Sequence, residues 1–385
     1  MPAESKPRIL ILTRNLPPLV GGMERLNWHM ADELGKHAEV QVIGPKGSVA
    51  PPPQSVTLTE APLKPLVLFM FVTLIKGLWI SLNWKPDVIL AGSGLMAPWA
   101  WIISKLCGGR SAAYLHGFDI TVDHPLYRSL WRPIFRKLDH VIVNSTPTKM
   151  LALTAGVCEN NLTIVFPGVS LPKSPQLPKN IDAFREQHGL VEKKILLSVG
   201  RLTTRKGLRE FVATSLPAIV QAMPDTMLVI VGEAPKNSLG AGIQTVESIL
   251  GQAEKSGVAQ HIKFLGVITD KDLLATAYES ANVHVFPVRH IPDDPEGFGM
   301  VAIEAAAHGL PTAAFATGGI IDAVRHSESG YLAESGNYAE LSNYVLKILR
   351  QPMSIKRIQG FAGGFAWERF GNSVFRAIQK SKDFG

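Results

Sequence analysis

The chain has 385 residues, of which 46% are hydrophobic and 18% are charged. This length and composition exclude a disordered chain and predict a globular protein of two domains. The two cysteines, Cys107 and Cys158, are too few for a disulfide framework or a metal cluster. Reduced thiols and a cytoplasmic protein are therefore expected, and the polar first eight residues lack the apolar core of an export signal.

The formal net charge of +7 is concentrated in the first half of the chain. Residues 1–170 carry 16 Lys+Arg against 11 Asp+Glu, a balance of +5, and the remainder carries 23 against 21, a balance of +2. A basic first half predicts an anionic substrate or surface. Because no zinc finger, RNA-recognition aromatic signature or dense basic run is present, phosphates and membrane head groups are favoured over nucleic acid.

The first half alternates short apolar runs with helical patterns. The runs are residues 8–13, 40–44, 87–92, 112–116, 140–145 and 162–166. Such alternation predicts a doubly wound parallel sheet, which binds ligands at the carboxyl ends of its strands. Gly21 and Gly22 follow the first run and precede a predicted helix over residues 23–36, where they would take a positive φ or let backbone approach a ligand, or form a plain turn. His116 ends the fourth run and could donate to a phosphate or sugar oxygen, although a structural hydrogen bond is the commoner role.

A second glycine pattern follows the run that ends at Gly92. Residues 92–97 fit the loose dinucleotide pattern G-x-G-x-x-A, but they follow the third predicted strand rather than the first. The acidic residue expected after the next strand is also replaced by His116 and its neighbours. A tight turn is the favoured interpretation.

Residues 66–84 are apolar on almost every side of a predicted helix. Lys76 interrupts the run, and a crossover helix is due at this place in the fold, so a membrane-spanning segment is not favoured. A buried crossover helix and a helix at a membrane interface, with Trp79 and Trp84 as anchors, are given equal weight.

A basic stripe is predicted further along the first half. Arg128, Arg132 and Arg136 recur at every fourth residue of a predicted helix. The stripe would be either a solvated face or a contact with anionic lipid.

The second half begins after a proline-rich linker and repeats the alternation. Its predicted strands are residues 195–200, 227–232, 262–266, 283–287 and 311–316. Arg201 and Lys206, with Arg205 between them, directly follow the first of these strands. Cations at a strand's carboxyl end are suited to a diphosphate.

A nine-residue stretch from Glu296 to Glu304 lies between a predicted strand and a predicted helix. The backbone N–H groups at the helix start would favour an anion, and they belong to Phe298, Gly299, Met300 and Val301. A carboxylate on either side could accept hydrogen bonds from sugar hydroxyls. This arrangement is suited to a sugar nucleotide.

These motifs together resemble the retaining glycosyltransferases of the GT-B fold, family 4. The motifs are Gly21-Gly22-Met23-Glu24, His116-Gly117-Phe118-Asp119, Asn144-Ser145, Phe166-Pro167-Gly168-Val169, Arg201 with Lys206-Gly207, the Glu296/Glu304 pair, Gly318-Gly319 and Trp367-Glu368-Arg369-Phe370. The resemblance implies two Rossmann-like doubly wound parallel-sheet domains facing across a cleft. The acceptor-side domain would comprise residues 1–170 and the nucleotide-sugar domain residues 171–365, with a last helix over residues 366–385 that packs back on the first domain.

The resemblance also implies a role for each site residue. Glu304 would hold the ribose and Glu296 the transferred sugar, while Arg201 and Lys206 would neutralise the diphosphate with help from the N–H groups of residues 298–301. Gly21 and Gly22 would close over the diphosphate, and His116 would line the donor pocket near the anomeric carbon. No metal or other cofactor is implied, so Asp293 and Asp294 are expected to be ordinary loop acids.

The resulting expectation is an enzyme that transfers a hexose, with retention, from a GDP- or UDP-linked donor. The acceptor would be a glycan or lipid-linked precursor of cell-envelope polysaccharide or lipopolysaccharide, at the cytoplasmic face of a membrane contacted through Arg128, Arg132 and Arg136. Two alternatives remain: a nucleotide-sugar epimerase of the same fold, and an NAD-dependent oxidoreductase that would depend on Gly92 and Gly94.

Overall fold

The computed structural model describes residues 6–49, 51, 56–235, 242–292 and 294–379. The chain forms two compact units. Unit 1 comprises Met1–Gly168 and Trp367–Gly385, and unit 2 comprises Val169–Ala366. The division predicted from the sequence lay after residue 170.

Unit 1 contains a parallel sheet of seven strands in the order β3-β2-β1-β4-β5-β6-β7. The strands are β1 Arg8–Leu12, β2 Glu39–Pro45, β3 Val56–Ala61, β4 Val88–Ala91, β5 Arg110–Leu115, β6 His140–Val143 and β7 Leu162–Ile164. Its helices are α1 Gly22–Gly35, α2 Leu66–Trp84, α3 Ala97–Cys107, α4 Phe118–Thr121, α5 Arg132–Phe135, α6 Thr146–Thr154 and α15 Trp367–Gln379. The central strands β1 and β4 are almost continuously buried, as expected when helices cover both faces of a parallel sheet.

Unit 2 contains a parallel sheet of six strands in the order β10-β9-β8-β11-β12-β13. The strands are β8 Lys194–Val199, β9 Thr226–Val231, β10 Ile262–Gly266, β11 Val283–Phe286, β12 Thr312–Phe315 and β13 Gly330–Ala333. Its helices are α7 Pro178–Gln187, α8 Leu208–Ala222, α9 Val246–Lys255, α10 Lys271–Ser280, α11 Met300–Ala307, α12 Ile320–Ala323, α13 Tyr338–Arg350 and α14 Ile355–Gly363. The predicted fold class, α/β with two doubly wound parallel sheets, is confirmed.

Two edge strands were not predicted. β3 pairs only with β2, and β13 pairs in the sheet only with β12. Because β3 precedes it, the strand predicted as third is in fact the fourth. The glycine pattern of residues 92–97 forms a short 3₁₀ turn over Gly94–Met96 followed by α3, which agrees with the favoured interpretation of a tight turn.

The last helix, α15, packs on α1 within unit 1. The Trp367 ring stacks on His29 with ring centroids 4.0 Å apart. A Cβ atom on Gly168 would lie 2.2 Å from the same indole, so only glycine fits beside it. The motif that begins at Trp367 therefore returns the chain to unit 1.

Helix α2 has the predicted bounds, but it is not a buried crossover helix. One face packs on the sheet and the opposite face is exposed. By length and composition alone, α2 is the one helix among the described residues that could cross a membrane. Trp79 is exposed, whereas Trp84 is half-buried and its ring lies under the guanidinium of Arg8.

The predicted continuous stripe of Arg128, Arg132 and Arg136 is wrong. A π-helical turn over Tyr127–Trp131 precedes the four-residue α5, so the three arginines do not share one regular helix. Arg128 forms an ion pair with Asp123 at 3.1 Å, and Arg132 donates to the carbonyl of residue 122 at 3.1 Å. Arg136 is exposed and follows the end of α5.

Candidate active site

The polar residues of unit 2 cluster where β8 and β11 end. The strand order reverses between these two neighbours, which is where open α/β sheets bind ligands. The loop after β8 ends at Gly207, whose φ of 68° lies in the left-handed region. A Cβ atom on Gly207 would lie 2.2 Å from the carbonyl oxygen of Pro287, so glycine allows the loops after β8 and β11 to pack directly together.

Two basic side chains of the first loop bind two carboxylates of the second. The Lys206 ammonium donates to Glu296 Oε2 at 2.9 Å and lies 4.5 Å from the centroid of the Phe286 ring. The Arg205 guanidinium donates to Asp294 Oδ1 at 2.6 Å, and its Nε lies 3.3 Å from Glu296 Oε2. The structure thus brings Lys206 and Glu296, two predicted site residues, into direct contact.

The cations determine the protonation of Glu296, whose side chain is only 11% exposed. Burial would raise its pKa, but Lys206, Arg205 and Arg201 together lower the pKa to about 2. Burial in turn lowers the pKa of Lys206, an effect that Glu296 opposes. At neutral pH the cluster therefore holds a carboxylate that can accept hydrogen bonds from hydroxyl groups.

A glycine turn after β12 supports the backbone of Glu296. The N–H of Gly319 donates to the carbonyl oxygen of Glu296 at 2.9 Å. A Cβ atom on Gly318 would lie 2.5 Å from that oxygen, and one on Gly319 would lie 2.2 Å from the carbonyl oxygen of Gly297. Larger residues would therefore push the loop away from its place.

The predicted anion site lies at the start of α11. Gly299 is the N-cap residue with a φ of 88°, and α11 begins at Met300. The Phe298 side chain is buried, and its ring centroid lies 5.8 Å from that of Phe365. This packing holds the chain in place just before α11 begins. The N–H groups of the first turn, including those of Met300 and Val301, lie at the positive end of the helix.

Glu304 belongs to a different network from Glu296. Its Oε2 lies 3.3 Å from the Tyr278 hydroxyl, and the Tyr278 ring stacks on His308. His308 Nδ1 in turn contacts Glu279 Oε1 at 2.8 Å. The two glutamates of the motif are therefore oriented independently, one by cations and one by a phenol.

Arg201 differs from its two basic neighbours. Its side chain is exposed and forms no ion pair with any residue of the described ranges. It is nevertheless close enough to lower the pKa of both Glu296 and Lys206. Arg201 is thus a cation that can turn to an incoming anion without breaking a contact within the protein.

The structural roles of Arg205 and Asp294 were not predicted from the sequence. Asp294 is not simply a loop acid, because its ion pair with Arg205 is the shortest of the cluster. Asp293 lies outside the described residues. An outer pair, Arg289 Nη1 to Glu210 Oε1 at 2.9 Å, was also missed. The run of four polar residues 203–206 was a signal of this network in the sequence.

The predicted residues of unit 1 lie at the carboxyl ends of β1 and β5. Gly21 caps α1 with an extended φ of 165°, and Gly22 is the first residue of that helix. The prediction of a positive φ does not hold for Gly21; a Cβ atom there would lie 2.3 Å from the Glu24 carboxylate. That carboxylate accepts a hydrogen bond from Asn15 at 2.7 Å, which ties the glycine turn to the loop after β1.

The hydrogen bonds of His116 define its tautomer. Its Nε2 lies 3.0 Å from the carbonyl oxygen of Gly92, which can only accept, so Nε2 carries the proton. The backbone N–H of His116 donates to Asp119 at 3.0 Å. The other ring nitrogen, Nδ1, is therefore the one that can accept a hydrogen bond from a hydroxyl group.

Each unit contains a parallel sheet with polar side chains near the carboxyl ends of its strands, and the two halves of the chain match two family models. Residues 20–172 match the family model "Glycosyltransferase Family 4", and residues 180–360 match "Glycosyl transferases group 1". The chain therefore belongs to the glycosyltransferases of the GT-B fold, family 4.

Individual proteins are similar to the chain over most of its length. A GDP-mannose-dependent alpha-(1-6)-phosphatidylinositol monomannoside mannosyltransferase of Mycolicibacterium smegmatis is 26% identical, over 89% of this chain and 90% of that protein. A D-inositol 3-phosphate glycosyltransferase of Geodermatophilus obscurus is 31% identical, over 63% of this chain and 53% of that protein. The crystal structure of Anabaena HepE in complex with UDP has a TM-score of 0.78 at 19% identity, covering 97% of this chain and all of that one (100%).

Proposed function

We propose that this glycosyltransferase transfers a hexose, with retention of anomeric configuration, from a nucleoside diphosphate sugar. The observation that carries the proposal is the cluster of Lys206, Arg205 and Glu296 beside the exposed Arg201 and the start of α11. Fixed cations and a helix N-terminus favour the negative charge that builds on a departing diphosphate. The M. smegmatis relative is named as GDP-mannose-dependent and the Anabaena neighbour holds UDP, so both bases are candidates.

The division of roles follows from the two separate networks. Lys206 and Arg201 would bind the diphosphate, and Glu296, held ionised by its cations, would accept hydrogen bonds from hydroxyls of the transferred sugar. Glu304 would accept the ribose hydroxyls beside Tyr278. In unit 1, the roles of Gly21, Gly22 and His116 in donor binding remain predictions from the family resemblance.

The chemistry requires no strong base in this proposal. The bond from the anomeric carbon to the diphosphate oxygen breaks, and the acceptor oxygen bonds to the same face of that carbon. The proton of the acceptor hydroxyl passes to the departing phosphate oxygen. The protein supplies position and charge stabilisation, and independence from metal ions remains a prediction.

The acceptor we propose is a glycan or a lipid-linked precursor in cell-envelope polysaccharide or lipopolysaccharide synthesis. The M. smegmatis relative supports a lipid acceptor, since its name gives a phosphatidylinositol monomannoside as its substrate. The basic balance of residues 1–170 is also compatible with an anionic acceptor. A cytoplasmic location is part of the same prediction.

A test combines donor binding with product stereochemistry. Binding of GDP, UDP, ADP and dTDP to the full chain is measured by calorimetry, and the hexose donors of the bound base are then incubated with lipid-linked acceptors. The anomeric configuration of the product is read by NMR.

We expect one of the four nucleotides to bind more tightly than the others. We also expect the product to have the anomeric configuration of the donor. A product of inverted configuration would refute retention. Binding of none of the four nucleotides would refute the donor assignment.

A further inference from the structure

Helix α2 has its apolar surface on the side that faces away from the protein. Its buried residues include Phe69, Thr73, Gly77 and Ile80, which follow one another at three- and four-residue spacing and form one face. The opposite face carries the exposed large apolar side chains Val67, Leu68, Phe71, Ile75, Trp79 and Leu82, and Leu66 is exposed in the first turn. An ordinary surface helix presents polar residues to solvent on that side. An exposed apolar face of this kind is typical of an interaction surface.

The inner face of α2 is fixed to unit 1. The Trp99 indole on α3 donates to the carbonyl oxygen of Met70 at 2.6 Å. A Cβ atom on Gly77 would lie 2.5 Å from Ile103 of α3, which shows how closely the two helices pack. Because one face is held against the sheet and α3, a bilayer-spanning orientation would require these contacts to break.

The charges within α2 and the few residues at either end of it have one sign. Residues 62–86 contain three lysines and no aspartate or glutamate. Lys64 and Lys85 are exposed at the two ends of the helix, while Lys76 is half-buried and donates to the carbonyl oxygen of Glu60 at 2.6 Å. An apolar face with a lysine at either end is complementary to an anionic lipid surface, where the helix lies parallel to the membrane plane.

We infer that the exposed face of α2 docks unit 1 on a membrane that contains anionic lipid. The apolar side chains enter the boundary between head groups and acyl chains, with Trp79 at the level of the head groups. Lys64 and Lys85 then contact lipid phosphates. A second copy of the chain is a poorer occupant, because a symmetric contact would bring like-charged lysines of the two copies to the same surface.

This inference deepens the proposed function, since it places the enzyme where a lipid-linked acceptor resides. It does not use the donor site of unit 2. It also locates the membrane contact on α2 rather than on Arg128, Arg132 and Arg136.

The test is co-sedimentation of the full chain with vesicles of phosphatidylcholine, with and without phosphatidylglycerol. The main variant combines Phe71→Ser with Trp79→Ser, at side chains that are 59% and 68% exposed. The matched control combines Leu177→Ser with Val191→Ser in unit 2, at 55% and 53% exposure. A charge variant combines Lys64→Gln with Lys85→Gln.

We expect the wild type to bind vesicles that contain phosphatidylglycerol. Each of the two aromatic substitutions should weaken binding by about tenfold or more. Each lysine substitution should weaken it by about fivefold at low salt and by less at high salt. The control pair should bind as the wild type does.

Nucleotide binding, measured in every variant, separates this inference from the proposed function. Loss of vesicle binding with unchanged nucleotide binding supports docking through α2. Vesicle binding that is the same in the aromatic variant and the wild type would overturn the inference, whatever the result for nucleotides. A wild type that ignores vesicles and forms a dimer, dissociated by the aromatic variant in analytical ultracentrifugation, would also overturn it in favour of a second copy.

Discussion

Replacement of Lys206 by Met tests the charge cluster of unit 2 most directly. The Met side chain keeps an apolar stem beside Phe286 and removes the ammonium that lies 2.9 Å from Glu296. Arg205 remains as the other cation in contact with that carboxylate, at 3.3 Å. Two measurable properties should change: the affinity for a nucleoside diphosphate and the pH dependence of stability.

The loss of affinity follows from one charge-assisted contact to phosphate. Such a contact contributes about 1.5–3 kcal/mol, which corresponds to roughly a 10- to 150-fold rise in Kd. Titration calorimetry with the nucleoside diphosphate that the wild type binds measures this change. Lys271→Met removes an exposed lysine at the start of α10 and is the matched control.

The effect on stability has a defined direction. Glu296 has a pKa of about 2 in the folded protein against 4.5 for an ordinary glutamate. A carboxyl group with a lowered folded pKa stabilises the protein above its unfolded pKa, by about 3 kcal/mol here. That stabilisation is lost as the pH falls from 4.5 toward 2. Lys206→Met should therefore be destabilising at neutral pH by part of this amount, and the difference from the wild type should shrink as acid protonates Glu296.

Urea unfolding at a series of pH values provides the stability measurement. The role assigned to Lys206 is refuted if Lys206→Met binds the diphosphate as tightly as the wild type. It is also refuted if the difference in unfolding midpoint between the two proteins is independent of pH.

Three further predictions concern other residues of unit 2. Arg201→Ala should weaken diphosphate binding by about 1.5–3 kcal/mol and leave the unfolding midpoint unchanged, because its side chain is exposed; a large loss of stability would contradict its assignment as an uncommitted cation. In calorimetry, Glu304→Gln should weaken the binding of both the free nucleoside diphosphate and the sugar donor, whereas Glu296→Gln should weaken the binding of the sugar donor only. Equal effects of the two variants on both ligands would disprove the division of roles. Gly319→Ala should lower the free energy of unfolding by about 1–3 kcal/mol, and with it the thermal midpoint, because its Cβ atom would lie 2.2 Å from a carbonyl oxygen. Gly251→Ala has open space around its Cβ atom and should not lower the midpoint.

The sequence predicted the central elements of the fold because their patterns are strong. The helix Leu66–Trp84 has its predicted bounds, since an apolar run lies between Pro65 and Lys85. The strands β3 and β13 were missed because their apolar patterns are weak. The Val56–Ala61 segment is mostly half-buried or exposed, and the four-residue Gly330–Ala333 segment begins with glycine.

The site was predictable in its parts but not in its connections. Parallel strands end at one edge of a sheet, so the residues after β8 and β11 were expected to lie close together. The partner of Lys206 was not predictable, because Glu296 is 90 residues away and the contact depends on the exact path of both loops. The interrupted helix near Arg128 escaped prediction because a π turn leaves no clear trace in apolar periodicity.

The return of α15 to unit 1 has a consequence for how the protein is made. Unit 2 is one continuous segment, Val169–Ala366, inserted within the sequence of unit 1. During synthesis residues 1–168 emerge before unit 2, whereas α15, which packs on α1, emerges after it. Unit 1 therefore completes its packing only after unit 2 has been synthesised, and a circular permutant that begins at Trp367 would allow unit 1 to complete first.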